Sequence, residues 1–362
     1  MANKVPIAKF PMEEVQLLVG EPIPNGATRQ YSSQFPVGKG AGETWERIRL
    51  VFHVTLGVGV QTFPVESGVY NFIRNVRLET SDGETIVDCP GTALALFNWL
   101  NDGHNPWHTP VAAAAAQYDA VLDIPFGFNF LRKPEDGFLD SGAYSALRLT
   151  LTTGPYAAGA VAGDLGVSNA AGTQVATFDM SVIRTKAGMF NNAVVKPLFV
   201  PYIQYIGSRV PSNTNMFFDI ESANDLALFG FLLAHGSVAR NPFDHVVAAT
   251  GLTAETDGLT SVTFGDNIIP TLVNAKQLDS FRLERHRDFN TVWPFHIPVV
   301  PNVPSLSEIG KYNHLFVRDG SVYGAYPAGN KSQIRISWLG GGAGTNQVDG
   351  LIYGFRTKRR IY

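Results

Sequence analysis

The chain has 362 residues, enough for two domains of ordinary size or one large all-β domain, and 45% of them are hydrophobic, so a sizeable core can be buried. Only 16% are charged, against about 25% in an ordinary soluble protein, and 24 are Phe, a balance suited to hiding surface against copies of the same chain. The formal net charge of −3 offers no global positive field to hold nucleic acid, and the single cysteine, Cys89, excludes an intramolecular disulfide framework and a multi-Cys zinc site.

The first residues, Met1 to Pro11, are interrupted by prolines and lead into no apolar run of signal-peptide length. No later stretch reaches the roughly 18 apolar residues of a membrane span. The expectation is a protein made and folded in a cytoplasm.

Period-2 alternation dominates the remainder of the chain, the mark of strands with one buried face. It is clearest from Glu46 to Leu56, where Ile48, Leu50, Phe52, Val54 and Leu56 share one face and Arg47, Arg49, His53 and Thr55 the other. Asp82-Gly83 joins Asn75–Thr80 to Glu84–Asp88 as a hairpin. Thr92 to Asn101 is the best helix: Leu94, Phe97 and Leu100 share a face, Thr92 is the expected cap and Asp102-Gly103 the stop. Alternation returns at Leu147–Leu151, Phe178–Val182 and Ile334–Trp338. Further tight turns are expected at Asn25-Gly26, Asp136-Gly137, Asp257-Gly258, Asp319-Gly320 and Asp349-Gly350. A second helix is expected over 274–283, and long irregular loops over 154–172 and 294–304. Many short strands with Gly- and Pro-rich turns define an all-β sandwich or barrel.

The order of elements repeats at about half the chain length. Leu122–Phe126 resembles Phe295–Val299, and Leu147–Leu151 resembles Ile334–Trp338, 187 positions later. Each half then closes with a Gly-rich loop and one more strand, Thr177–Ile183 or Val348–Phe355. Leu94-Ala95-Leu96-Phe97 recurs as Leu226-Ala227-Leu228-Phe229, but out of register with the other matches. The expected organisation is two tandem eight-stranded jelly rolls, residues 1–190 and 212–362, joined by a Pro-containing linker at 191–211.

A doubled jelly roll raises the possibility of a bicupin enzyme, whose metal needs a His-x-His pair on one strand face. None of the eight histidines forms one, and His104 and His108 are separated by Pro106. There is no Gly-x-Ser-x-Gly elbow. Cys89 reads as a small buried residue, and Gly340–Gly344 leads into a strand rather than the helix a phosphate loop needs. Glu13-Glu14, and Asp279 with Glu284, read as solvated charge. No catalytic residue and no cofactor are expected, and the sequence leaves open whether structural cations sit between subunits. Basic residues do gather at both ends: Lys4 and Lys9 at one, Arg356, Lys358, Arg359 and Arg360 at the other. They are candidate contacts for an anionic partner, lipid headgroups or nucleic acid.

Three features carry a family resemblance: Val15–Glu21 followed by the alternating strand from Arg47; Phe72–Leu78 with its Asp82-Gly83 turn and the helix after Gly91; and the repeat of this order in the second half. In these the chain resembles the double jelly-roll major capsid proteins of membrane-containing icosahedral bacteriophages, the corticovirus- and finnlakevirus-like members above all. The resemblance implies a structural protein of the virion without catalytic residues. It implies a homotrimer with a near-hexagonal footprint that tiles a shell, with penton and minor capsid proteins as partners. Both basic termini would face an internal lipid membrane, and loops such as 154–172 would lie at the top or between subunits. An alternative is a carbohydrate-binding β-sandwich or phage fibre or spike component, for which Trp99, Trp107 and Trp293 are the candidate aromatic platform.

Overall fold

The computed structural model describes residues 12–23, 25–38, 43–55, 68–102, 117–155, 157–158, 161–162, 175–185, 199–209, 216–220, 223, 225–237, 259–264, 311–317, 320–328, 334–340 and 346–357. The first half carries β1 (Met12–Pro22), β2 (Thr28–Tyr31), β3 (Thr44–Thr55), α1 (Gly68–Phe72), β4 (Ile73–Thr80), β5 (Thr85–Cys89), α2 (Gly91–Asp102), β6 (Gln117–Pro125), β7 (Leu139–Asp140), β8 (Leu147–Thr153), β9 (Ala157–Ala158), β10 (Val161–Ala162) and β11 (Val175–Thr185). The second carries β12 (Phe199–Arg209), β13 (Met216–Ile220), β14 (Leu226–Ser237), β15 (Leu259–Phe264), β16 (Lys311–Leu315), β17 (Tyr326–Pro327), β18 (Ile334–Gly340) and β19 (Asn346–Thr357).

Strand order makes the duplication explicit. In the first half the main strands divide into β1-β11-β3-β6 and β2-β8-β4-β5, so the chain passes repeatedly from one sheet to the other. That is jelly-roll topology. In the second half β12-β19-β14-β16 repeats the first pattern and β13-β18-β15 the second. Among the described residues the second half has no counterpart of β5. The repeats Leu147–Leu151 with Ile334–Trp338, and Thr177–Ile183 with Val348–Phe355, are topological equivalents: β8 with β18, β11 with β19. The strand equivalent to β6 is β16, at 311–315, whereas the sequence match pointed to 295–299, which lies outside the described residues.

The two halves share a sheet. β12 runs parallel to β5, pairing Ile203 with Val87 and Gln204 with Asp88, and this short join fuses β2-β8-β4-β5 to β12-β19-β14-β16. Residues 199–209 fall inside the stretch expected as a linker. They form a strand because Phe199, Val200 and Ile203 are buried in one cluster while Tyr202 is buried in another, which gives this segment an apolar partner on both faces.

Burial follows the alternation. On β3, Ile48, Leu50, Phe52 and Val54 are buried, while Arg47, Arg49 and His53 point outward. Leu56 lies outside the described residues. The Asp82-Gly83 hairpin forms between β4 and β5 with Gly83 at φ 79°, and Asn25-Gly26 is a turn with Gly26 at φ 61°; Gly320 has φ 71°, and Asp319 lies outside the described residues. Asp349-Gly350 is a correction. It lies inside β19, where Gly350 admits the Ile206 side chain; an added Cβ would stand 2.7 Å from Ile206 Cγ1. Asp136-Gly137 ends a short 3-10 helix, Pro134–Gly137. Asp257-Gly258 and the helix expected over 274–283 lie outside the described residues, as does most of 154–172.

The helix at 91–102 forms, but one apolar stripe understates it. Every residue from Gly91 to Asn101 is buried, including Ala93, Ala95, Leu96 and Trp99. The helix is enclosed on all sides, which fits its small and aliphatic composition. Thr92 sits within the first turn, and Pro90 O accepts the Leu94 N–H at 3.0 Å.

Candidate functional site

Two surfaces stand out from the fold: a seam between the halves, and the outer face of the sheet β1-β11-β3-β6. The seam is aromatic. Phe97 of α2, with Phe128 and Phe130 of the loop after β6, meets Phe199, Phe229, Tyr353 and Phe355 from the second half. The closest pairs across the halves are Phe97–Tyr353 at 5.1 Å and Phe128–Phe229 at 5.2 Å between ring centroids, the second edge-to-face. β14 is buried on both faces here. Leu228, Phe231 and Leu233 fill the second jelly roll, while Phe229, Leu232 and Ala234 belong to the cluster that continues into the first. A strand so placed reads as a continuous apolar run, as Leu226–Ala234 does. The repeated Leu-Ala-Leu-Phe is helix in α2 and strand in β14, so it is no part of the duplication; only the closing Phe97 and Phe229 of the two copies meet the aromatic seam.

The equivalent face of the first half, on β1-β11-β3-β6, is used differently. Asp123 on β6 is nearly buried between two arginines of β3. Arg49 meets it with two parallel N–H donors, at 3.0 and 3.1 Å, and Arg47 donates at 2.9 Å. Arg47 also reaches Asp102 of α2 at 2.9 Å and Glu46 at 2.6 Å. Burial opposes the Arg47 charge, but Asp102 and Asp123 outweigh it and hold the guanidinium above its ordinary range. Arg184 on β11 bridges Glu13 at 3.0 Å and Glu43 at 2.6 Å. His53 lies between Asp119 at 2.7 Å and Asp179 at 3.4 Å. Val121, 45% exposed, lies between Asp119 and Asp123 on β6, the end strand of this face. The sequence showed the β3 cations on the outward face; it did not show the strand register that sets His53 opposite Asp119 and Arg49 opposite Asp123.

Of the basic residues singled out in the sequence, Lys4, Lys9, Lys358, Arg359 and Arg360 lie outside the described residues. Arg356 is in β19, with its guanidinium 5.0 Å above the Tyr202 ring and 3.8 Å from Asp225. It is held within the fold and set apart from any free tail. Trp99 is buried in α2 and unavailable as a sugar platform; Trp107, Trp293, His104 and His108 lie outside the described residues. Among the described residues no group of three or more His, Cys, Asp or Glu is placed to hold a metal ion, and no helix is long and apolar enough to cross a membrane.

Cys89 closes β5 and is fully buried, and that burial pushes its thiol well above the ordinary range. The native protein is expected to resist iodoacetamide at mildly alkaline pH and to be alkylated completely in denaturant; mass spectrometry of the two samples checks this.

The fold is a double jelly roll: two copies of one topology in tandem, fused through a common sheet and a common aromatic seam. No protein-family model and no curated protein matches the sequence. Solved structures do match along nearly the whole chain. The major capsid protein P2 of bacteriophage PM2 is similar with a TM-score of 0.56 and 11% identity, over 96% of this chain and 99% of that one. The STIV major capsid protein gives 0.59 and 14%, over 96% and 97%. The Faustovirus major capsid protein gives 0.57 and 10%, over 99% and 92%.

Proposed function

We propose that the chain is a major capsid protein of the virion, a structural protein whose activity is assembly with copies of itself. The observation that carries the reading is the unequal use of two equivalent faces. The face of β12-β19-β14-β16 is covered by the first half of its own chain, through α2, Phe128 and Phe130. Among the described residues, nothing from the second half covers the equivalent face of β1-β11-β3-β6. The intramolecular contact is head-to-tail, and repeating it between chains covers the open face with the second half of the next copy. Such a heterologous contact makes a ring if the rotation closes. Three chains, each supplying two units of one topology, give six units around the axis and a near-hexagonal outline suited to tiling. The units are proposed as residues up to 185 and from 199 onward. Lys4, Lys9, Lys358, Arg359 and Arg360 are proposed as contacts to an internal lipid membrane, each adding about 1 kcal/mol near an anionic surface. Penton and minor capsid proteins complete the partner set.

Sedimentation velocity tests the reading. The wild-type chain is expected to run as a trimer. Val121→Glu, on β6 of the open face, is expected to shift it to monomer with its melting temperature as a monomer essentially unchanged, because Val121 points outward. A wild-type chain that stays monomeric at high concentration and forms no lattice overturns it.

A further inference from the structure

One row of contacts on the open face crosses the four main strands of its sheet. Asp119 on β6 takes His53 Nδ1 on β3 at 2.7 Å, and His53 Nε2 lies 3.4 Å from Asp179 Oδ2 on β11. The other carboxylate oxygen, Asp179 Oδ1, accepts the Gly20 N–H of β1 at 2.7 Å. Gly20 needs that acceptor. The pairing of β1 with β11 slips here, from Leu18 opposite Met180 to Glu21 opposite Phe178, and Gly20 sits in the slip at φ 60° with no place in the ladder. A side chain therefore holds the edge strand where the backbone ladder lets go.

We propose that His53 is a proton-operated clamp, which in its charged form ties β6, β3 and β11 together and through Asp179 fixes the outer end of the edge strand β1. Two carboxylates face the imidazole: Asp119 from β6 and Asp179 from β11. Arg49 of β3 is paired with Asp123, and Glu21 of β1 with Arg29. A charged imidazole donates from both nitrogens, a neutral one from one only. On losing its proton His53 keeps the shorter bond to Asp119 and turns a lone pair toward Asp179. That carboxylate then loses its counter-charge and its orientation toward Gly20. The hydrogen bond with Asp119 is the largest influence and raises the His53 pKa above its ordinary value; burial opposes it, and the weaker hydrogen bond with Asp179 adds to the rise. The clamp is therefore complete below the unfolded-state pKa of about 6.5 and is lost as pH rises through the higher folded value.

The test compares wild type with His53→Gln, by NMR titration of the imidazole and by hydrogen exchange at Gly20 at about pH 5.5 and about pH 8.5. Taking the ratio of the two proteins at each pH cancels the intrinsic base catalysis of exchange. Gly20 is expected to be better protected in wild type at the acid pH, by about tenfold for each pH unit by which His53 titrates above its ordinary value, and equally protected at the alkaline pH. Asp179→Asn, which keeps an acceptor for Gly20, is expected to fold and to abolish the pH dependence. A wild-type-to-variant ratio that is the same at both pH values overturns the clamp, as does an imidazole that titrates at or below its ordinary value. All measurements use the dilute, unassembled chain, so their outcome is independent of the capsid reading.

Discussion

Phe229→Ala is expected to cost about 3–5 kcal/mol of stability, the upper range for loss of a buried aromatic ring. Phe229 is fully buried and its ring centroid lies 5.2 Å from Phe128, 5.8 Å from Phe130, 5.7 Å from Phe199 and 5.0 Å from Phe355. Two of those rings belong to the first half and two to the second. The cavity cannot collapse easily, because Phe229 projects from a strand hydrogen-bonded on both sides, to β16 and to β19. The loss therefore falls on the coupling between the halves. Among the described residues the strand pairing between the halves is limited to Ile203 with Val87 and Gln204 with Asp88. With so short a join, the ring cluster is what makes the chain unfold as one body. Urea unfolding followed by fluorescence and by far-ultraviolet circular dichroism checks this: coincident curves for wild type, a lower midpoint and separated curves for Phe229→Ala. Tyr323→Ala, at a side chain 98% exposed, is the control and stays within about 0.5 kcal/mol of wild type.

The strands of the first jelly roll were legible because each has one dry and one wet face. Ile48, Leu50, Phe52 and Val54 against Arg47, Arg49 and His53 declare both the strand and its orientation, and Asp82-Gly83 declares the hairpin. The duplication was legible as order and spacing, and its two closing pairs of strands hold. What the pattern could not carry is everything set by a second wet-to-dry exchange. β12 and β14 are dry on both faces, so they lose their alternation, and α2 is dry all round. Leu-Ala-Leu-Phe is equally at home in a buried helix and a doubly buried strand; its neighbours decide, Gly91 allowing close approach to Tyr70 O at one site and pairing with β19 at the other. Asp349-Gly350 carries a turn signature but serves close packing against Ile206. The open face was visible as a row of polar residues. Its pairings were not, because register between strands distant in sequence decides which carboxylate each arginine meets.

The same close packing makes Gly354→Ala the most disruptive single methyl group in the described structure. Gly354 lies in β19 opposite Leu228, beside the slip in register between Leu228 and Gly230. A Cβ there would collide with Ala227 O and stand 2.8 Å from Leu228 Cα. Both are backbone atoms, so no rotamer change relieves the clash; β14 and β19 must separate. They have nowhere to go, since the jelly-roll core lies on one side of the pair and the aromatic seam on the other. A cost above about 4 kcal/mol is expected, the range reserved for changes a fold cannot absorb. Gly83→Ala separates this cause from backbone conformation. Gly83 sits at φ 79° in the exposed hairpin with nothing within 4 Å of an added Cβ, so its substitution costs only the left-handed strain of about 1–2 kcal/mol. Soluble yield and thermal melting distinguish the two: Gly83→Ala folds with a midpoint a few degrees down, whereas Gly354→Ala gives little folded protein. A Gly354→Ala melting curve indistinguishable from wild type would mean that β14 and β19 do not approach as closely as this register requires.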